Sequence, residues 1–346
     1  IDPLELIDQY GADATRYALA SQEVQSRRTL RMSNQAAEGG RNFGTKLWNA
    51  ARFAEMNRCY GGPTVRPTPS ETVNKWIIGE TARCAAAVDK ALGEHKFNEA
   101  CTALYDHVWK LFCDWYVEFA KPLLADGHSA QSETRQTMAW ALDQCLILLH
   151  PIMPFITEEL WETLLQDRAK PLIHMDWPAL DLALADAEAD TEMGWVIRVI
   201  DGIRSVRAEM NVPAAAKIDM IITGHSSEIA GRLERNAQLI ERLARLQAAT
   251  VADSAPDGCV TVALQDCAVN LPLAGVIDID AEKARLTKAF DKSSKEINGL
   301  EKKLGNQGFL AKAPEEVIEE QRDRLATGLA ERDRLQAALD RLAALS

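Results

Sequence analysis

The chain has 346 residues, 47% of them hydrophobic and 26% charged, with a formal net charge of −12. That mix belongs to cored, folded proteins and excludes a disordered tail, while the acidic total excludes a nonspecific nucleic-acid coat, whose affinity comes from counterion release by Lys and Arg. The seven cysteines form no Cys-x-x-Cys pair and the six histidines have no metal-ligand spacing, so reduced thiols, a cytoplasmic location and no bound metal are expected.

Asp2-Pro3 reads as a helix start, an acceptor followed by proline at the first helical position. Leu4, Ile7, Ala14 and Tyr17 then continue at helical spacing to about residue 20, broken at Gly11. The chain opens without an initiator methionine or a charged-then-apolar leader, and is expected to be part of a longer protein. No window approaches the roughly eighteen uninterrupted apolar residues of a membrane span.

A second helix is predicted over 33–57, stopped by Gly61-Gly62-Pro63 and the Pro67-Thr68-Pro69-Ser70 cluster, with Ser70 placed to cap the next one. Helical patterns follow at 70–92, 96–124, 131–149 and 154–167. The 96–124 segment is apolar almost all round, as a helix central to a bundle must be, so Trp109, Phe112, Trp115, Tyr116 and Phe119 are assigned to the core. In "HPIMPFITEELWE" (150–162) Thr157 is a candidate cap. Glu158 and Glu159 diverge by about 100° on a helix, so they are read as structural rather than as an acid/base pair.

An acidic connection at 181–192 ends the bundle. A small α+β unit is predicted beyond it: a helix at 192–210, a strand in "KIDMIITG", a helix at 226–247, and short strands near 249–253, 259–264 and 268–273. In the last segment Leu286, Phe290, Ser293, Ile297, Leu300 and Leu304 step by fours and threes. After Gly305 and Gly308 the same stepping resumes through Ile318, Gln321, Leu325, Gly328, Arg332, Leu335, Leu339 and Leu342, giving an antiparallel helical hairpin. Ser293, Gln321, Gly328 and Arg332 are expected to weaken its seam. The fold class is therefore mainly α: a helical bundle, a small α+β unit and a C-terminal antiparallel coiled-coil hairpin.

Charge is uneven along this layout. Between Arg16 and Tyr60 stand eight cationic residues against three acidic ones, which marks this end as a candidate anion-facing surface. Within "GGRNFGTKLWNAARF" (39–53), Phe43, Leu47, Ala50 and Ala54 fall on one stripe and are predicted to be buried. Asn42, Lys46, Asn49 and Phe53 line one flank, and Arg41, Thr45, Trp48 and Arg52 the far side. Amides, cations and a ring together suit unpaired nucleotides, which need edge hydrogen bonds, charge neutralisation and stacking. The alternative is a solvated helix face, in a scaffold that binds proteins. Arg27, Arg28 and Arg31 either grip phosphates or pair with carboxylates. There is no glycine-rich phosphate loop, nucleophile elbow or metal cluster, so no catalytic site is assigned.

"IDPLELIDQYGADATRYAL" resembles the segment that follows the KMSKS signature in class I aminoacyl-tRNA synthetases of the valine, isoleucine and leucine group. "GRNFGTKLWNAARF", "FCDWYVEFAKPLL" and "HPIMPFITEELWE" are similar to motifs of their anticodon-binding bundle. The terminal "GFLAKAPEEVIEEQRDRL" (308–325) resembles the valine branch, whereas isoleucine enzymes usually end in a cysteine-ligated zinc module. The resemblance implies a connecting stem at 1–32, an anticodon-binding bundle at 33–180, the α+β domain at 192–277 and a tRNA-binding arm at 278–346. It implies valine tRNA as partner, with Arg28, Arg31, Arg41, Asn42, Lys46, Asn49, Arg52 and Phe53 facing it. ATP and Mg would serve a catalytic part lying before Ile1, leaving this segment inactive by itself, and a monomer is expected.

Overall fold

The computed structural model describes residues 3–22, 32–60, 65–164, 168, 170–311 and 313–343. It divides into two compact units, Ile1–Gly194 and Trp195–Ser346.

The first unit is all helical. Helices α1 (Pro3–Tyr10) and α2 (Ala12–Ala20) meet at Gly11, whose positive φ of 94° is open to glycine and strained for other residues. Asp2, the expected cap of α1, lies outside the described residues. Helix α3 (Asn34–Met56) starts at Ser33, whose hydroxyl accepts the Ala36 N–H at 3.1 Å. Its stripe is buried as the spacing requires: Phe43, Leu47, Ala50 and Ala54, with Ala51 beside them. Gly40 is where α2 crosses α3, and a Cβ there would stand 2.7 Å from the Ala14 carbonyl oxygen.

Helix α4 (Thr72–Gly93) is followed by α5 (Phe97–Tyr105), which runs through a π-helical stretch, Asp106–Tyr116, into α6 (Val117–Leu123). The sequence predicts one α-helix here. The wider turn packs more residues per revolution, so a 100° wheel loses phase across it. Helices α7 (Gln131–Leu149) and α8 (Pro154–Leu164) complete the bundle, whose interior holds Tyr116, Phe119, Met138, Trp140 and Trp161. Beyond α8, the Arg168 guanidinium forks onto Asp143 at 2.6 and 3.0 Å and lies 3.6 Å from the Trp161 ring centroid.

Two expected caps come from elsewhere in the fold. Ser70 does not cap α4: its hydroxyl donates to Glu133 on α7 at 2.7 Å, and Glu133 also accepts the N–H groups of Ser70 and Glu71 at 3.0 and 2.9 Å. A carboxylate aimed at the helix N-terminus satisfies these donors better than a hydroxyl. Burial pushes the Glu133 carboxyl up, but bonds from Ser70, Asn74 and Glu71 outweigh it and hold it below its usual value. Thr157 likewise lies inside α8, donating to the Met153 carbonyl at 2.8 Å. The donors at the start of that helix, Phe155 and Ile156 N–H, go to Asp13 of α2 at 3.2 and 2.6 Å.

Helix α9 (Ala187–Glu209) begins in the acidic connection, five residues before the expected start, and Arg83 holds its first turn by two bonds to Asp190 at 2.7 and 2.9 Å. In the second unit β1 (Ile218–Thr223), α10 (Ser227–Ala244), β2 (Leu246–Val251), β3 (Cys259–Ala263) and β4 (Ala268–Pro272) form a sheet of order β2-β1-β4-β3. Strand β1 is parallel to β2 and antiparallel to β4, which pairs antiparallel with β3. Ile218, Met220 and Ile222 alternate into the core, where Gly202 of α9 admits Val262.

The hairpin is α11 (Ile279–Leu304), a short α12 (Gln307–Leu310) and α13 (Glu315–Ala343). All four seam positions expected to be weak have partners, Arg332 through Asp333 beside it at 3.2 Å. Gly328 brings the helices so close that a Cβ there would be 3.2 Å from Ile297, and its carbonyl accepts the Ser293 hydroxyl at 3.4 Å. Gln321 accepts from Lys303 at 3.1 Å.

Candidate nucleic-acid interface

Once its stripe is buried, α3 leaves Asn42, Lys46, Asn49 and Phe53 along one wall of a groove of about 400 Å³. Asn42 and Asn49 are exposed, while Lys46 and Phe53 are half-buried. The opposite wall is the π-helical stretch and α6, which supply Cys113, Val117 and Lys121. Thr45 closes the rim.

Two lysines dominate the groove, each already matched to a carboxylate. The Lys46 ammonium pairs with Asp114 and sits 4.2 Å from the Trp109 ring centroid. Trp109 stacks on Tyr105 at 5.3 Å and 17°, and Phe43 tilts against Tyr105 at 5.4 Å, so the buried stripe braces the surface that holds Lys46. Lys121 pairs with Glu118 one turn earlier and lies 5.7 Å from the Phe53 ring centroid. Burial pushes the Cys113 thiol up to about 12 despite nearby Lys46, so it stays protonated and unreactive at neutral pH. The groove thus offers amides, two cation–carboxylate pairs and a ring face. That set can hydrogen-bond and stack; nothing in it is an activated nucleophile.

The other sequence-derived candidates do not join this wall. Arg41 is turned about 100° from Asn42, with its guanidinium 5.6 Å from the Tyr10 ring centroid and 3.9 Å from Glu38. Arg52 is exposed on α3 but does not line the groove. Of the six α3 residues expected to face tRNA, the four on one flank share this groove, and Arg41 and Arg52, on the far side of the wheel, do not line it. Arg16, counted in the cationic excess, holds the carbonyls of Ile152 and Pro151 at 3.0 and 2.8 Å. Arg27, Arg28 and Arg31 lie outside the described residues. Lys121 and Asp114 were missed because a wheel drawn on one helix says nothing of the helix across from it.

Two family models match. The anticodon-binding domain of tRNA ligase matches residues 74–222, and the valyl tRNA synthetase tRNA binding arm matches 278–343. Valine–tRNA ligases of Cereibacter sphaeroides and Ruegeria pomeroyi are each 51% identical over the whole of this chain, which spans 35% and 34% of their lengths. The chain belongs to the valyl-tRNA synthetase family. A third relative, from Caulobacter vibrioides, is 50% identical over all of this chain and 38% of its own length. The matched regions of this synthetase chain are an anticodon-binding domain and a tRNA-binding arm, not a catalytic core. The anticodon-domain match starts downstream of α3, so the case for individual α3 residues is geometric.

Proposed function

We propose that this chain recognises valine tRNA for a ligase that joins valine to it using ATP, and that the α3 groove receives unpaired nucleotides of the anticodon loop. The observation that carries this is the Phe53 ring, which lines the same groove as the exposed amides of Asn42 and Asn49 and the Lys46 ammonium. Base stacking is sequence-tolerant, whereas amides and an ammonium at a base edge are not, so the groove combines grip with choice.

The Asp114 partner favours a base edge over a phosphate as the target of Lys46. A neutralised ammonium releases few counterions, yet its remaining donors stay directional. The hairpin at 278–343 is the second contact, leaning on the outer corner of the tRNA. ATP and magnesium belong to the proposed activity of the whole protein; the residues described here are assigned recognition and no chemical step.

Filter binding of the chain to valine tRNA, against the same tRNA with its anticodon exchanged, tests the reading. Preference for the valine anticodon supports it. Equal binding to both, or none to either, refutes it.

A further inference from the structure

A second groove, of about 510 Å³, lies on the other side of α3. Gly11, Ala12 and Ala14 line one side and Gly40 and Gly44 the other, with the apolar side chains of Met153 and Ile156 filling the space in front of Gly44. Gly40 packs directly on the Ala14 backbone, so α2 and α3 close the base of the groove. The rim is aromatic. Tyr10, Trp48 and Phe155 stand around it, with Trp48 half-buried and Phe155 65% exposed, an unusual degree for a phenylalanine on a packed helix.

Charge fits the same occupant. Arg41 is exposed at this rim, its guanidinium near Tyr10 and only distantly paired with Glu38. The groove's carboxylate, Asp13, is turned onto the N–H groups of Phe155 and Ile156, where its charge is matched by the α8 N-terminus. Apolar walls, ring faces and one forked cation suit a planar base with a phosphate beside it. Thr45 lines both this groove and the Phe53 groove.

We propose that the second groove holds another unpaired nucleotide of the same RNA loop, its base against Trp48 and Phe155 and its phosphate on Arg41. This rests on the anticodon-loop reading of the first groove. It assigns Arg41 and Asn42, adjacent in sequence, to different nucleotides.

The test uses the 346-residue chain and an RNA hairpin carrying the valine anticodon loop, titrated at several salt concentrations. Phe155→Ala is expected to weaken binding roughly five- to more than a hundredfold, the range for one stacked base. Phe155→Leu, which keeps apolar bulk without a ring face, should weaken it comparably, and Arg41→Gln should lower the salt slope by about 0.7, one single-strand contact. Thermal melting of each variant shows whether the fold is kept, and the Leu variant serves if the Ala variant unfolds. Wild-type affinity and salt slope in these variants, with Phe53→Ala impaired, overturn the second site and leave the first standing. If Phe53→Ala is also unimpaired, the anticodon-loop reading has failed and this inference with it. Loss of valine activation by the full-length protein with unchanged hairpin-RNA binding would make the groove a protein-docking surface, which also overturns the proposal.

Discussion

Replacing Phe53 by alanine removes a ring face while leaving the helix beneath it intact. Phe53 is half-buried, and the packing of α3 rests on Phe43, Leu47, Ala50, Ala51 and Ala54, which stay in place. The intramolecular loss is the Lys121 contact at 5.7 Å, a long, partly exposed cation–π pair of about 0.5–1 kcal/mol, plus part of the ring's own burial. Alanine is also the stronger helix former, which offsets some of that loss. Melting should therefore fall by only a few degrees. A base stacked on the ring contributes about 1–3 kcal/mol, so the affinity for valine tRNA should drop roughly five- to more than a hundredfold. Stacking releases no counterions, and the slope of log affinity against log salt should be unchanged. The assay is filter binding at four or five salt concentrations beside a melting curve. Wild-type affinity in a folded variant would remove Phe53 from the site, and a changed salt slope would show that the substitution acts on the cations instead.

Lys46→Ala should relax discrimination between valine and exchanged anticodons while shifting the salt slope by clearly less than the roughly 0.7 of a full phosphate contact; a full shift would make Lys46 a phosphate grip. Glu133 has a folded pKa below its unfolded one, so its stabilisation is complete above the ordinary carboxylate range and is lost as pH falls through the lowered value. Glu133→Ala should cost about 0.5–2 kcal/mol at pH 7, as for a lost cap, and the gap to wild type should close on acidification; a pH-independent gap would contradict the carboxylate's role. Deleting 278–346 from the full-length protein should raise the KM for tRNA and spare valine activation measured by pyrophosphate exchange. Equal loss of both would assign the hairpin to folding.

The parts of the fold legible in the sequence are those governed by local periodicity. A 3.6-residue repeat picks out Phe43, Leu47, Ala50 and Ala54, and with them which flank carries Asn42, Lys46, Asn49 and Phe53, because burial of one stripe fixes the direction of every other residue on the helix. The heptad stepping around Ile297 and Gly328 places the hairpin for the same reason. What the sequence hides is supplied from a distance. Glu133 and Asp13 cap helices by accepting N–H groups 62 and 142 residues away in sequence, so Ser70 and Thr157 look like caps only while the rest of the fold is unseen. The second wall of the groove is hidden twice over, since Cys113, Val117 and Lys121 come from another helix and the π-helical turn shifts their phase. Arg41 and Asn42 are neighbours in sequence and about 100° apart in direction, which is why the wheel alone sets them on different faces of α3.

The central claim is that the surface left beside the buried stripe of α3 selects the anticodon of valine tRNA. The most direct measurement is the ratio of dissociation constants for valine tRNA and its anticodon-exchanged counterpart, in the wild-type chain and in a chain carrying Asn42→Ala, Lys46→Ala, Asn49→Ala and Phe53→Ala together. The account predicts a ratio well above one for the wild type that collapses toward one in the folded quadruple variant. An unchanged ratio in that variant would place anticodon selection elsewhere and contradict the account.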